Sequence, residues 1–182
     1  MVASCDALCS LPLNQGAPHF EALKQHPNHP LALAAMAVCH AWGWGTTTNK
    51  AAEGRCYNLV DVSALRALAE TTTNEHAQFH YGRMLERGSG ALTKDETEAV
   101  RWYRLAAMQG HAPAQNNLGR MYMNGQGGLP KDDTQALHWL KLATDQDFAV
   151  ASWNTYVVYD NQGKRREAER WKSIANKQGF DL

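Results

Sequence analysis

The sequence predicts an all-α fold, a solenoid of about four helix pairs. Three observations carry that prediction. The stretch "AQFHYGRMLERGSGALTKDETEAVRWYRLA", Ala77 to Ala106, is echoed by "AQNNLGRMYMNGQGGLPKDDTQALHWLKLA", Ala114 to Ala143. The offset is constant, since Gly82 and Gly119, like Trp102 and Trp139, stand 37 residues apart. Within each copy the apolar residues recur at three and four, the spacing that puts them on one stripe of a helix.

Taken in order, residues 1–16 read as a tail and 17–182 as one solenoid domain, with units at 31–74, 75–111, 112–148 and 149–182. A short helix over Pro18–Gln25 is ended by "HPNHP" at 26–30. "ALAAMAVCHAWGWG", Ala32 to Gly45, fits the first half of a unit, with Met36 in the place of Leu118 and Gly43 and Gly45 in those of Gly125 and Gly127. "VDVSALRALAE" fits the second half, with Leu65 in the Trp102 position. The stretch between them, 46–60, reads as an irregular loop. At the other end, Ala151 and Tyr159 fall 37 residues after Ala114 and Tyr122, and "AERW" at 168–171 matches "ALHW" at 136–139 after a shortened turn. Divergent end units are expected, because they cap an otherwise open core.

Inside a unit, Ala77, Tyr81, Met84 and Leu85 form the stripe of the first helix. A glycine in mid-helix costs about 1 kcal/mol relative to alanine, so Gly82 and Gly119 mark close helix crossings. Gly-x-Gly at 88–90 and 125–127 supplies the left-handed residues of a helix end and turn. Asp95 and Asp132, each followed three residues later by Glu98 or Gln135, open the second helix as a capping box. Its buried face is expected at Ala99, Trp102, Leu105 and Ala106, and at Ala136, Trp139, Leu142 and Ala143. Trp102, Trp139 and Trp171 recur at one repeat position and read as core packing rather than a binding row.

The Ala114–Ala151 unit carries Leu118-Gly119, Met121-Tyr122, Gly125-x-Gly127, Lys131-Asp132, Ala136, Trp139 and Ala143. In this it resembles the Sel-one-like repeat, a relative of the tetratricopeptide repeat. The Ala77–Ala114 unit matches with Tyr81 in place of the usual leucine. The resemblance is strong over 75–148 and departs at the 46–60 stretch and the last turn. It implies a right-handed α/α superhelix that acts as a protein–protein scaffold, with no catalysis and no cofactor. In such superhelices the first helix of each pair lines the concave groove. The groove-facing candidates are therefore Trp42 in the first unit, Phe79, Arg83, Glu86 and Arg87 in the second, Asn116, Arg120, Met123 and Asn124 in the third, and Trp153 and Asp160 in the fourth. Arginine and aromatic side chains are common anchors at interfaces. Arg83 and Arg120 suit bidentate contact with a partner carboxylate. The 46–60 stretch is a second candidate surface.

Composition narrows the function classes. Eighteen Lys and Arg balance 18 Asp and Glu, which argues against nucleic-acid binding, where a basic excess neutralises phosphates. No run approaches the roughly 20 apolar residues of a membrane span. "GSGALTK" and "GQGGLPK" do not fit a phosphate-binding loop, and no nucleophile elbow is present. His76 and His80 are spaced as metal ligands are on a helix, but the sequence places no third ligand near them, and no metal site is expected.

The four cysteines, Cys5, Cys9, Cys39 and Cys56, lie in the first third of the chain. Cys39 and Cys56 are the candidate disulfide, a staple from helix to loop; the alternative is reduced, buried thiols in a cytoplasmic protein. "VASC", Val2 to Cys5, resembles a lipobox, which makes Cys5 a lipidation candidate and the periplasm the expected compartment. Sel-one-like lipoproteins of this size resemble the immunity partners of type VI secretion effectors, including phospholipase toxins. The expected partner is accordingly a protein, a toxin to be bound and occluded, with membrane contact only through the anchor. The competing readings are an adaptor in bacterial signalling or secretion, and a peptidoglycan- or β-lactam-binding relative of the cysteine-rich repeats.

Overall fold

The computed structural model describes residues 17–42, 46–71 and 74–180. Among these residues it is helical with no strand. The helices are α1 (Ala17–Leu23), α2 (Pro30–Trp42), α3 (Lys50–Leu59), α4 (Val62–Thr71), α5 (Glu75–Arg87), α6 (Glu96–Met108), α7 (Ala112–Asn124), α8 (Asp133–Thr144), α9 (Ala149–Asn161) and α10 (Arg165–Lys177). The chain divides into two compact units, 1–95 and 96–182. The division falls inside the second repeat, between α5 and α6, rather than between repeats.

In the first unit, α2 is the core element, buried without a break from Leu31 to Cys39. It packs on α3 and also meets α1, α4 and α5. The stretch expected to be an irregular loop is largely the helix α3. Asn49 caps it, its side chain accepting from the Ala52 amide at 2.9 Å, and Glu53 in the first turn suits the positive end of the helix dipole. Ala52, Glu53 and Tyr57 then give it a face to bury. α4 buries Leu65 and Ala69. α5 is capped by Asn74, which accepts from the Ala77 amide at 2.8 Å, and is buried continuously from Ala77 to Leu85.

In the second unit, α7 packs on α6 and α8, and α9 on α8 and α10, with a lighter contact between α7 and α9. His111 caps α7, accepting at Nδ1 from the Ala114 amide at 3.3 Å. Asp132 caps α8, accepting from the Thr134 and Gln135 amides at 2.9 and 3.0 Å. Gly119 marks a close crossing as expected: a Cβ there would lie 2.8 Å from Leu140 Cγ and 3.1 Å from the Ala136 carbonyl oxygen. Gly125 ends α7 at φ 65° with its N–H returned to the Met121 and Tyr122 carbonyls.

The buried face of the second helices differs from the expected one. Leu105 and Leu142 are 47% and 38% exposed. The interior position is two residues earlier, at Tyr103 and Leu140, both fully buried and themselves 37 residues apart. Ala106, Ala107 and Ala143 complete that stripe. Trp102 is buried with its indole N–H on Glu98 Oε1 at 3.0 Å, while Trp139 and Trp171 are only half-buried. The tryptophan row edges the core rather than filling it.

A further device binds two of the first helices, α5 and α7, to the helix before each. Gln78 Nε2 donates to the Ala69 carbonyl near the end of α4, at 3.3 Å. Gln115, 37 residues on, does the same to the Ala107 carbonyl near the end of α6, at 3.1 Å. Both side chains are buried. Each satisfies a helix-terminal carbonyl that has no partner within its own helix.

Candidate protein-interaction surface

The expected groove residues separate into those that hold the fold together and those that face outward. In the first unit, Phe79 is 2% exposed and lies edge-on to the His80 ring. Arg83 is also buried. Its Nε donates to Tyr57 Oη at 2.9 Å and its Nη2 to Glu53 Oε1 at 3.4 Å. These two were expected to be free for a partner and are instead interior, because α5 is buried over nearly all its faces and α3 supplies partners for the guanidinium. Arg87, one turn further along α5, also donates through Nη1 to Glu53 Oε1. Its side chain is 37% exposed where that of Glu53 is only 7% exposed. Glu86 is half-buried. The backbone of Trp42 ends α2, and its side chain lies outside the described residues.

Burial raises the Tyr57 phenol above its ordinary pKa, and the neighbouring Arg83 charge works against that shift. A buried tyrosine hydroxyl needs a partner, and the Arg83 N–H provides one. Two guanidiniums therefore converge on one carboxylate, with a neutral phenol beside them.

In the second unit Asn116 is 1% exposed. It accepts at Oδ1 from Asn154 Nδ2 of α9 at 2.7 Å and donates to Asn117 Oδ1 at 3.3 Å. This expected partner contact is thus an internal bridge from α7 to α9. Arg120 is half-buried and donates to Gln126 Oε1 at 3.0 Å; Asn124 donates to the same oxygen at 3.3 Å. Met123 is half-buried, while Asn124 and Asp160 are exposed. Trp153 is half-buried, its ring centroid 4.7 Å from that of Tyr156 and 5.6 Å from that of Phe180. Lys172 Nζ lies 5.8 Å from the Tyr156 centroid. Gln126, Tyr156 and Phe180 went unnoticed in the sequence. Gln126 and Phe180 lie outside the helices, where no periodicity marks them, and Tyr156 sits on a helix with no single apolar stripe.

The two cysteines expected to pair, Cys39 of α2 and Cys56 of α3, stand as free thiols. Cys39 is fully buried on the core helix, while Cys56 is on the helix that replaces the expected loop. Burial pushes the Cys39 thiol up to about 12, opposed by a backbone hydrogen bond and augmented by the charge of Cys56. Burial also raises Cys56, opposed by Arg55. Such thiols are weak nucleophiles near neutral pH. Cys5 lies outside the described residues.

Among the described residues no helix is long and apolar enough to cross a membrane, and no group of three or more His, Cys, Asp or Glu side chains is placed to hold a metal ion. The exposed and half-exposed set offers hydrogen bonds, an arginine fork and aromatic faces. That chemistry suits recognition of a protein surface.

Comparison with known proteins agrees with this architecture. No curated protein matches the chain. Among solved structures, it is similar to a protective antigen present in uropathogenic Escherichia coli strains, displaying an SLR fold, at 24% identity and a TM-score of 0.57 over 99% of this chain and 39% of that one. It is similar to a Sel1 repeat protein from Oxalobacter formigenes at 25% identity and a TM-score of 0.56, over 90% of this chain and 63% of that one. An immunity protein from Pseudomonas aeruginosa shares the fold at 17% identity and a TM-score of 0.52, over 90% of this chain and 58% of that one. The chain thus spans between 39% and 63% of the lengths of these proteins. Sel1 repeats generally mediate protein–protein binding. The model of the Sel1 repeat matches residues 30–53, 75–111 and 112–148, over half of the sequence, and the chain belongs to the Sel1 repeat family.

Proposed function

We propose that this chain is a non-enzymatic binding protein whose partner is a secreted toxin, and that it protects the cell by occluding that toxin without any covalent step. The observation that carries the reading is the division of labour on the first helices. The core takes Tyr81, Met84, Leu118 and Met121, whereas Arg87, Met123, Asn124, Trp153 and Asp160 are left at least partly open to solvent. Partly open side chains of this kind are what an interface uses for anchors and polar contacts. The reading is supported further by an immunity protein being built on the same fold. We place the protein in the periplasm, anchored through an acylated Cys5, on the lipobox-like "VASC" stretch. A type VI effector of the phospholipase class is the specific toxin proposed.

The test is protection. Cells lacking the protein should die when challenged by sister cells that deliver the toxin, and expression of the protein should restore survival. The purified toxin should also form a stable complex with the purified chain and lose its lipase activity in proportion. Unchanged survival on deletion, together with no complex, overturns the immunity reading. A different protein bound at the same surface would point instead to an adaptor.

A further inference from the structure

Resting on the binding-module reading above, we propose that Arg87 is a preset receptor for a carboxylate on an acidic face of the protein partner, held ready by Glu53 of α3. Three observations lead there. The first is that two arginines converge on one buried carboxylate. The Glu53 carboxylate, its side chain 7% exposed, receives both Arg83 and Arg87, so two cations face one anion. Arg83 is also committed to Tyr57 Oη and is buried. Of the two cations it is Arg87 that reaches the surface, its side chain 37% exposed.

The second is that the fold does not require the cluster. Burying charges carries a desolvation penalty that pairing only partly offsets. The following repeat dispenses with it. There the position of Arg87 is taken by Asn124, the arginine at the Arg83 position, Arg120, bonds to the neutral Gln126, and the connection that corresponds to α3, between α5 and α6, has no inserted helix. The same helix pair stands without Glu53, Tyr57 or a second arginine.

The third is preorganisation. Arg87 donates to Glu53 through Nη1 and makes no other bond among the described residues. A guanidinium has five N–H donors in a rigid fork, so its outer edge can take a carboxylate with two parallel hydrogen bonds. Anchoring by Glu53 removes part of the side-chain entropy that an exposed arginine loses on binding. The expected ligand is an aspartate or glutamate of the partner.

The probe is an end-blocked hexaglutamate peptide, titrated into the protein at low salt while the arginine Nε–Hε and α5 amide resonances are followed by NMR. We expect saturable shifts centred on Arg87. Arg87→Gln should weaken the binding by about tenfold or more. Arg87→Lys, which keeps the charge beside Glu53 but not the fork, should also weaken it, while circular dichroism and the thermal midpoint show that each variant is folded. Arg104→Gln, which removes an equal charge elsewhere, should leave it unchanged. Absence of a shift at Arg87, equal binding by the Arg87 variants, or equal displacement by hexathymidylate overturns the proposal. The toxin complex separates the two readings. Equal toxin affinity in wild type and Arg87→Gln overturns the carboxylate site and leaves the binding module standing. Hexaglutamate shifts without any toxin complex remove the immunity reading and keep the site.

Discussion

Arg83 and Arg120 stand at the same place in successive repeats and meet opposite surroundings. Arg83 is 5% exposed, bonded to Tyr57 Oη at 2.9 Å and paired with Glu53 at 3.4 Å. Arg120 is half-buried and donates to the uncharged Gln126. Identity between repeats therefore does not mean identity of role. Arg83 draws its partners from α3, an element with no counterpart in the next repeat.

Substitution should separate the two. Arg83→Ala leaves a buried phenol without its donor and a buried carboxylate with one cation fewer. Removing one partner of a buried pair costs about 3 kcal/mol or more, softened here because Arg87 still reaches Glu53. Arg120→Ala loses the partly solvated hydrogen bond to neutral Gln126 and should cost about 1 kcal/mol or less. Urea unfolding of the two variants beside wild type measures the difference. Equal losses would mean that the Glu53 cluster contributes nothing to stability.

The Gln115 latch gives a second prediction. Gln115 Nε2 donates to the Ala107 carbonyl, and its Oε1 accepts from Gln146 at 2.9 Å. Gln115→Ala removes the side-chain bonds to the Ala107 carbonyl and to Gln146, while the Gly110 amide still donates to that carbonyl, so the loss should be about 1 kcal/mol. Gln115→Glu should be worse than alanine, because the carboxylate turns the donor facing Ala107 into an acceptor. Amide hydrogen exchange should rise first at the end of α6 and the start of α7. Stability unchanged in both variants would show that water replaces the latch at no cost.

Gly119 supplies a third. A Cβ at this position would meet Leu140 Cγ at 2.8 Å, closer than real carbon contacts allow. Gly119→Ala gains helix propensity of about 1 kcal/mol but forces Leu140, which is fully buried, out of its packing, at a cost of about 1–3 kcal/mol. The net should be mild destabilisation. Gly119→Val, with two more carbons against the same wall, should destabilise strongly or fail to fold. A double variant, Gly119→Ala with Leu140→Val, should recover part of the loss. Absence of coupling between these two substitutions in a double-mutant cycle would mean that the crossing relaxes elsewhere.

The period of the repeat was legible in the sequence, because it is carried by residues that backbone geometry and capping demand, whereas the helix inserted at Lys50–Leu59 was not. Gly119, Gly125 and Asp132 each do what their type and spacing foretell. Less legible was which residues lie inside. Tyr103 and Leu140 share an interior position but not a residue type, so comparison of the copies passed over them, while the matching leucines at 105 and 142 drew attention and proved exposed. The face of a helix can be misassigned by one or two residues whenever alanines flank the true stripe on both sides. The candidate surface was legible only in part for a related reason. Groove assignment by helix face identified Arg87, Met123, Asn124 and Asp160 as outward-facing, but it cannot see that an inserted helix covers Arg83 or that Asn116 is bridged by Asn154. Those contacts link residues 30 and 38 positions apart, and no local spacing encodes them. Gln78 and Gln115, identical at one repeat position and polar inside the fold, are the one sign of such contacts that the sequence carries.

The last prediction concerns alkaline pH. Cys39 is fully buried, and its thiol is raised from an ordinary 9.0 to about 12. The folded state therefore holds the proton more tightly than the unfolded chain does. That contribution to stability is complete below pH 9 and is lost progressively as pH rises from 9 towards 12. A gap of about three pKa units corresponds to about 4 kcal/mol at the upper end. Tyr57 adds in the same direction from its ordinary value of 10.0 upward, since burial raises it too. Urea unfolding at a series of pH values between 8 and 11 should therefore show stability falling with pH. Cys39→Ala, even if less stable at pH 8, should show a shallower decline, and Tyr57→Phe should flatten the part above pH 10. The thiols should also react unequally. In a background with Cys5 and Cys9 replaced by serine, a maleimide at pH 8 should label half-buried Cys56 well before Cys39, and Cys39 only as fast as the protein opens. Equal labelling rates, or parallel pH slopes in wild type and Cys39→Ala, would mean that Cys39 is not the sealed, proton-holding thiol described above.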